Sequence, residues 1–245
     1  MKITNLFLIS CFISSCAYSA NQTNTSFNKA KKMLEKSVYN EHKVTLYCGA
    51  AFDFAKHVIP PEGFYSLKYQ KRAKKIEWEH VVPAKNFGRT FKEWRTGDPQ
   101  CINRKGKSFK GRKCAEKVNI EYRYMQADMF NLFPAIGAVN ALRSNYNFAM
   151  QPGEKNDFGS CEMKIANRKA EPPEAARGQI ARAYMYMENN YPRYSMSRQQ
   201  RQLMNAWDKQ YPVNSWECKR TKKITVLQSG NNEVVQSRCI AKNLW

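Results

Sequence analysis

The sequence predicts an α+β domain held by disulfides, and three observations carry that reading. Runs of β-formers and aromatics gather in the N-terminal half, around residues 44–54 and 75–82. Apolar residues at helical spacing dominate from about residue 134 onward. Six cysteines, an even number, remain once the leader-like first segment is set aside. The chain has 245 residues, enough for one substantial core, with 42% hydrophobic and 25% charged residues. These values exclude simple disorder, a collagen-like chain and a multi-span membrane protein.

The first segment reads as a secretory signal over residues 1–19. Met1-Lys2 is a short positive start, Leu6 to Ile13 an apolar run, and Ala17-Tyr18-Ser19 a small-x-small exit. Cleavage after Ser19 or Ala20 leaves one domain over 20–245. A competing reading takes Ile13-Ser14-Ser15-Cys16 as a lipobox, with Cys16 anchoring the chain to the outer membrane. Both readings export the protein, periplasmic or secreted in the first case. No later stretch approaches the ~20 apolar residues of a membrane helix.

Asn21 to Ser26 is polar and expected to fray. Phe27 to Tyr39 suits an amphipathic helix, and Val44 to Phe54 a strand with a turn at Cys48-Gly49. Lys75 to Val82 is a strand stopped by Pro83. Residues 96–119 read as a long loop or irregular hairpin, in which six of the ten residues from 104 to 113 are basic. Pro134 sits at a first-turn position with Ala135 to Arg143 following, and Asn131 in reach as a cap. Pro172-Pro173 opens a helix whose Ile180, Ala183, Tyr184 and Met187 share one face. Ser197 with Gln200 is a capping-box signal for another, with Leu203, Met204 and Trp207 as its apolar face. Pro212, Asn214 and Gly230 break the tail into loops and short strands. Six cysteines allow 15 connectivities. Only Cys101 and Cys114 are close in sequence, and they are expected to close the basic loop; Cys48 with Cys161 and Cys218 with Cys239 complete a working assignment.

The charge balance is the unusual term: 41 Lys+Arg against 20 Asp+Glu, a formal +21. Such an excess calls for a polyanionic partner. The chemistry-bearing stretch is Glu77-Trp78-Glu79-His80-Val81-Val82-Pro83-Ala84, a carboxylate beside a histidine at the end of an apolar strand. In a regular strand those two side chains point to opposite faces, so both can serve one site only if the strand ends or bends there. A second stretch, Asn131-Leu132 through Asn140, places polar amides on the expected helix. A strand-end histidine, a basic loop and an asparagine-bearing helix are the parts of a ββα-metal (His-Me finger) core.

These motifs resemble the bacterial endonuclease I family of periplasmic and secreted non-specific nucleases. The likeness runs through Glu77 to Ala84 with Asn86-Phe87-Gly88, then Asn131-Leu132, Pro134, Gly137, Val139-Asn140, Arg143 and Asn145. It continues in Glu171-Pro172-Pro173, Ala176-Arg177-Gly178, Asn205-Ala206-Trp207 and Trp216-Glu217-Cys218. The resemblance implies a ββα-metal endonuclease core with additional helices. It further implies His80 as general base, Arg112 as the cation that meets the charge of the transition state, and Glu79 and Asn140 as ligands of one divalent ion. That ion is Mg²⁺, or another such as Ca²⁺ or Mn²⁺. The expected products carry 5′-phosphates, with DNA and also RNA as substrates of a monomer. Arg89, Lys92, Lys107, Lys110, Lys113 and Arg143 are the expected contacts to nucleic acid. The chain departs from the family pattern at Gln126, where a Glu is usual, and at Ala50 and Leu67, where one disulfide would stand. Gln126 and the charge excess motivate the alternative: an exported polyanion-binding protein with weakened or lost catalysis.

Overall fold

The computed structural model describes residues 20–245. The leader reading over 1–19, with its alternative lipid site at Cys16, lies outside those residues. Helix α1 (Phe27–Met33) runs on into a π-helical turn (Leu34–Val38), and a short hairpin of β1 (Ala51–Phe52) and β2 (Val58–Ile59) follows. The one-turn helix α2 (Gln70–Ala73) leads into β3 (Ile76–His80), then α3 (Ala84–Gly88) and α4 (Lys92–Arg95). After the basic loop come α5 (Arg112–Val118) and α6 (Ile120–Gln126), a 3-10 turn (Met129–Asn131), β4 (Leu132–Ile136) and α7 (Gly137–Arg143). Strands β5 (Asn147–Phe148), β6 (Lys164–Ala166) and β7 (Lys169–Glu171) form a small sheet in the order β5-β7-β6. Four helices complete the chain: α8 (Glu174–Asn190), α9 (Arg198–Gln210), α10 (Ser215–Gln228) and α11 (Glu233–Ala241).

The α+β reading holds, and its centre is β3 paired antiparallel with β4, with α7 following directly. The register runs from Ile76 opposite Ile136 to His80 opposite Leu132. This is a correction to the expected helix start at Pro134. Leu132 to Ile136 is buried at every position, so its apolar run gives no helical stripe. Pro134 is tolerated because the sheet has two strands. Its carbonyl accepts from the Leu46 amide at 2.9 Å, on the edge away from β3, so its nitrogen faces that edge and no ladder bond is lost. The helix starts three residues later, at Gly137, where the backbone amide donates to the Lys75 carbonyl at 2.9 Å. A Cβ at Gly137 would lie 2.6 Å from the Arg72 carbonyl oxygen and 2.9 Å from Glu77 Oε1, so only glycine fits that approach.

Three further expectations change. The tail is helical, with Asn214 and Asn232 accepting from the backbone amides of Glu217 and Val235 as N-caps. Helix α5 takes over the end of the expected 96–119 loop; Gly111, at φ +82°, makes the turn that starts it. Asn21 to Asn24 is tied down rather than frayed: the Asn21 side-chain amide donates to the Tyr124 carbonyl at 3.0 Å, and the Thr23 hydroxyl to that of Gln228 at 2.8 Å.

The apolar face read for α8 is core, with Ile180, Tyr184 and Met187 fully buried. Ser197 caps α9 by accepting from the Gln200 amide at 3.2 Å. All three disulfides form as expected: Cys48–Cys161, Cys101–Cys114 and Cys218–Cys239. Among the described residues, no helix is long and apolar enough to cross a membrane.

Candidate active site

Strand β3 ends at His80, and the two residues after it form a bend closed by Pro83. Asn131 holds that bend rather than capping a helix. Its side chain accepts from the Val82 amide at 2.7 Å and donates to the Val82 carbonyl at 3.0 Å. Because the strand stops there, Glu79 and His80 both line one cleft of about 280 Å³, with Asn140, Arg112, Lys85 and Trp94 around them. Neighbours of opposite pleat thus border one site because they are the last two residues of the ladder, where the chain bends away.

His80 is 7% exposed, and its Nε2 lies 2.8 Å from the Gln126 backbone carbonyl. A carbonyl only accepts, so Nε2 carries the proton and Nδ1 keeps the lone pair. Burial, with the Arg112 charge as a second cause, pushes the imidazole pKa down to about 3, so the ring is neutral near pH 7. The Gln126 substitution leaves this bond in place, because it uses the backbone. The Gln126 side chain is buried with neither polar atom partnered among the described residues.

The carbonyl of Gln126 is itself held from behind. Two residues on, the fully buried Asp128 accepts from the hydroxyls of Tyr186 (2.7 Å) and Tyr191 (2.6 Å), from the Phe130 amide (2.9 Å) and from Gln228 Nε2 (3.0 Å). Helices α8 and α10 therefore fix the turn that presents both Gln126 and Asn131. Composition alone gives no sign of this arrangement, since its partners lie far apart in the chain.

Glu79 is 4% exposed. Its Oε1 accepts from the Tyr47 hydroxyl at 2.8 Å and from Arg143 Nη1 at 2.7 Å. Burial pushes its carboxyl above the usual range, and the Arg143 charge and the Tyr47 hydroxyl pull against that shift. No bond falls on Oε2 among the described residues, which leaves that oxygen for the cleft. Asn140 donates through Nδ2 to Glu77 Oε2 at 2.8 Å, and Glu77 is in turn held by Arg72 at 2.5 Å. Among the described residues, no bond falls on the Asn140 side-chain oxygen.

These two oxygens fit a hard divalent cation that retains several waters. No cluster of three or more His, Cys, Asp or Glu suited to a metal occurs among the described residues. A site with two protein oxygens, one of them an amide, needs no such cluster.

Arg143 is corrected. It was expected to contact nucleic acid, but it is fully buried. Besides Glu79, it donates to the His80 carbonyl at 2.9 Å and the Val81 carbonyl at 2.6 Å, and its guanidinium lies 4.5 Å from the Phe148 ring centre. A buried guanidinium needs such acceptors, and the turning strand end supplies them. Arg112 is exposed at the first turn of α5, with its guanidinium 5.3 Å from the Phe27 ring centre. Arg89, Lys92, Lys107, Lys110 and Lys113 are all exposed, at the end of α3, on α4, in the loop and on α5. Tyr122 is core, packed on Phe87, Phe91 and Trp94. The motifs gave no hint of Phe27, whose ring lies 4.8 Å from that of His80 across the cleft, or of Tyr47.

The chain resembles known proteins over most of its length. The family profile described as Endonuclease I matches residues 14–239. An extracellular deoxyribonuclease of Aeromonas hydrophila is 40% identical over 221 residues, covering 87% of this chain and 90% of the relative. A periplasmic deoxyribonuclease of the same organism is 39% identical, covering 89% and 88%. An Endonuclease-1 of Buchnera aphidicola subsp. Baizongia pistaciae is 33% identical, covering 99% and 98%. With its profile matched from residue 14 to residue 239, this chain belongs to the endonuclease I family and is an endonuclease.

Proposed function

We propose that the protein hydrolyses phosphodiester bonds of DNA, and also of RNA, with one divalent cation, leaving 5′-phosphate products. The observation that supports this most is the state of His80. Its Nε2 proton is committed to the Gln126 carbonyl, so Nδ1 is a neutral base in the cleft that also holds Glu79, Asn140 and Arg112. Nδ1 takes the proton of a water as that water attacks phosphorus, and the 3′ oxygen departs. Glu79 and Asn140 would hold the cation, Mg²⁺ or another such as Ca²⁺ or Mn²⁺, through their unpaired side-chain oxygens. When bound, the cation supplies Lewis-acid stabilisation of a non-bridging phosphate oxygen and of the departing oxygen. Arg112 stands at the cleft as a bidentate donor to the charge that develops on the phosphate.

The exposed residues Arg89, Lys92, Lys107, Lys110 and Lys113 hold the backbone. Phosphate contacts fix position and carry no sequence information, so cleavage has little sequence preference. The protein acts as an exported monomer, periplasmic or secreted. The relatives named extracellular and periplasmic support that location. The alternative, a polyanion binder with weakened catalysis, rested on Gln126 and on the charge excess, and the first of these is the one that bears on catalysis. The intact backbone bond to His80 weighs against it.

The test is nicking of supercoiled plasmid by the oxidised protein with Mg²⁺, with and without EDTA. Nicking that EDTA stops is the expected result. Nicking that survives EDTA contradicts the metal role, and none with any divalent ion contradicts hydrolysis.

A further inference from the structure

A second cavity, of about 560 Å³, opens beside the catalytic cleft. Phe27 and Trp78 line both, so the two hollows share a wall. One side of the new cavity is the face of α1 and its π-helical continuation. Asn28, Lys31, Lys32 and Glu35 stand there at i, i+3, i+4 and i+7, the spacing of one helical face. Lys56 joins them from the β1–β2 hairpin.

The charges in this cavity do not cancel. Glu35 is taken by Lys56 at 3.0 Å, and Glu77 by Arg72 and Asn140. Lys31 and Lys32 have no ion pair among the described residues. The Lys31 ammonium lies 4.6 Å from the Phe27 ring centre. Partial burial first, and then the nearby charges of Lys56 and Arg112, lower its pKa, while the Glu116 charge pulls the other way. The catalytic mechanism uses none of these lysines.

We propose that this cavity is a subsite for the nucleic-acid strand next to the scissile bond, with a neighbouring phosphodiester held by Lys31, Lys32 and Lys56 and its nucleoside resting along Phe27. The proposal rests on the nuclease reading of the adjoining cleft. The shared Phe27 wall lets one strand occupy both, and an aromatic beside ammonium groups suits a base attached to a phosphate. Glu35 competes with the phosphate for Lys56.

The test uses full-length oxidised protein in a His80→Ala background and a fluorescent duplex, with affinity measured across a salt series. Lys31→Gln/Lys32→Gln is compared with Lys29→Gln/Lys36→Gln. Lys29 and Lys36 are exposed on the same helical segment and do not line the cavity. Both doubles change net charge equally. Each lost phosphate contact reduces the log–log salt slope by about 0.9. The cavity double should therefore flatten the slope by about two on that rule and weaken binding, while the control double changes it little. Glu35→Gln, which frees Lys56, should tighten binding. Equal slopes for the two doubles overturn the subsite, as does unchanged or weaker binding by Glu35→Gln. If His80-intact protein cleaves plasmid while these results are negative, the subsite alone fails. If it does not cleave, the nuclease reading fails instead.

Discussion

Arg112 and Arg143 flank the Glu79-His80 pair in opposite environments. Arg143 is sealed behind β3, spending its donors on Glu79 and on two carbonyls of the turning strand. Arg112 stands in solvent at the cleft, with the basic loop beside it. One guanidinium shapes the site and the other is left for a ligand. Identical side chains in family motifs thus carry different duties, and burial decides which.

Substituting each arginine tests that contrast most strongly. Arg143→Ala leaves Glu79 buried without its cation and should cost about 3–5 kcal/mol of stability, the range for breaking a buried pair. Arg112→Ala should leave the melting curve near that of wild type, as exposed substitutions do, but lower turnover by about 10²–10³-fold. Thermal melts and single-turnover cleavage of both variants would settle it. An Arg143→Ala protein as stable as wild type would show that the buried wall does not depend on that pair.

The basic side has its own constraint, the Cys101–Cys114 disulfide that closes the loop carrying Arg112. Replacing both cysteines with serine should cost at most about 3 kcal/mol on the chain-entropy account of a loop of that size. The two stability losses, read from denaturant midpoints, rank the two sides. A larger loss on the loop side would reverse the ranking.

Much of this contrast could not be read from the sequence. The Glu79-His80 pair was legible because a strand pattern stops before Pro83, and the structure ends β3 at His80 itself. The basic loop was legible from composition, and its disulfide from cysteine spacing. The burial of Arg143 was not, because its acceptors on and just after β3 lie 62 to 64 residues earlier and no local pattern announces them. Pro134 was misread for a related reason: a wholly buried strand shows no alternation, and proline is a good helix opener. Phe27 and Lys31 were hidden by distance along the chain, their helical stripe reading as an ordinary amphipathic face.

A finer test separates the two proposed cation ligands from the basic rim. Glu79→Ala and Asn140→Ala should each raise the Mg²⁺ needed for half-maximal cleavage by about tenfold or more, by analogy with losses around metal sites. Removing Lys110 or Lys113 should leave that requirement unchanged. Metal titrations of Glu79→Ala and Asn140→Ala that overlay wild type would place the cation elsewhere.

A smaller effect comes from pH. In the folded, metal-free protein His80 has a pKa of about 3, against roughly 6.5 when unfolded. Between those values the unfolded chain binds more protons, so stability is full above about pH 6.5 and falls as pH drops. His80→Ala lacks this component. Urea unfolding in EDTA at pH 7, 6 and 5 should therefore show a shallower pH dependence for the variant. Parallel dependences would mean that His80 is not held neutral by burial.

The most direct measurement compares His80→Ala with wild type on one plasmid at fixed Mg²⁺, with binding to duplex DNA followed on the same samples. Loss of a general base typically lowers the rate by about 10²–10⁴-fold. That loss, with DNA affinity retained, is what a neutral Nδ1 acting in the cleft requires. A variant that binds DNA normally and keeps half or more of wild-type turnover would contradict the assignment of His80 as the base.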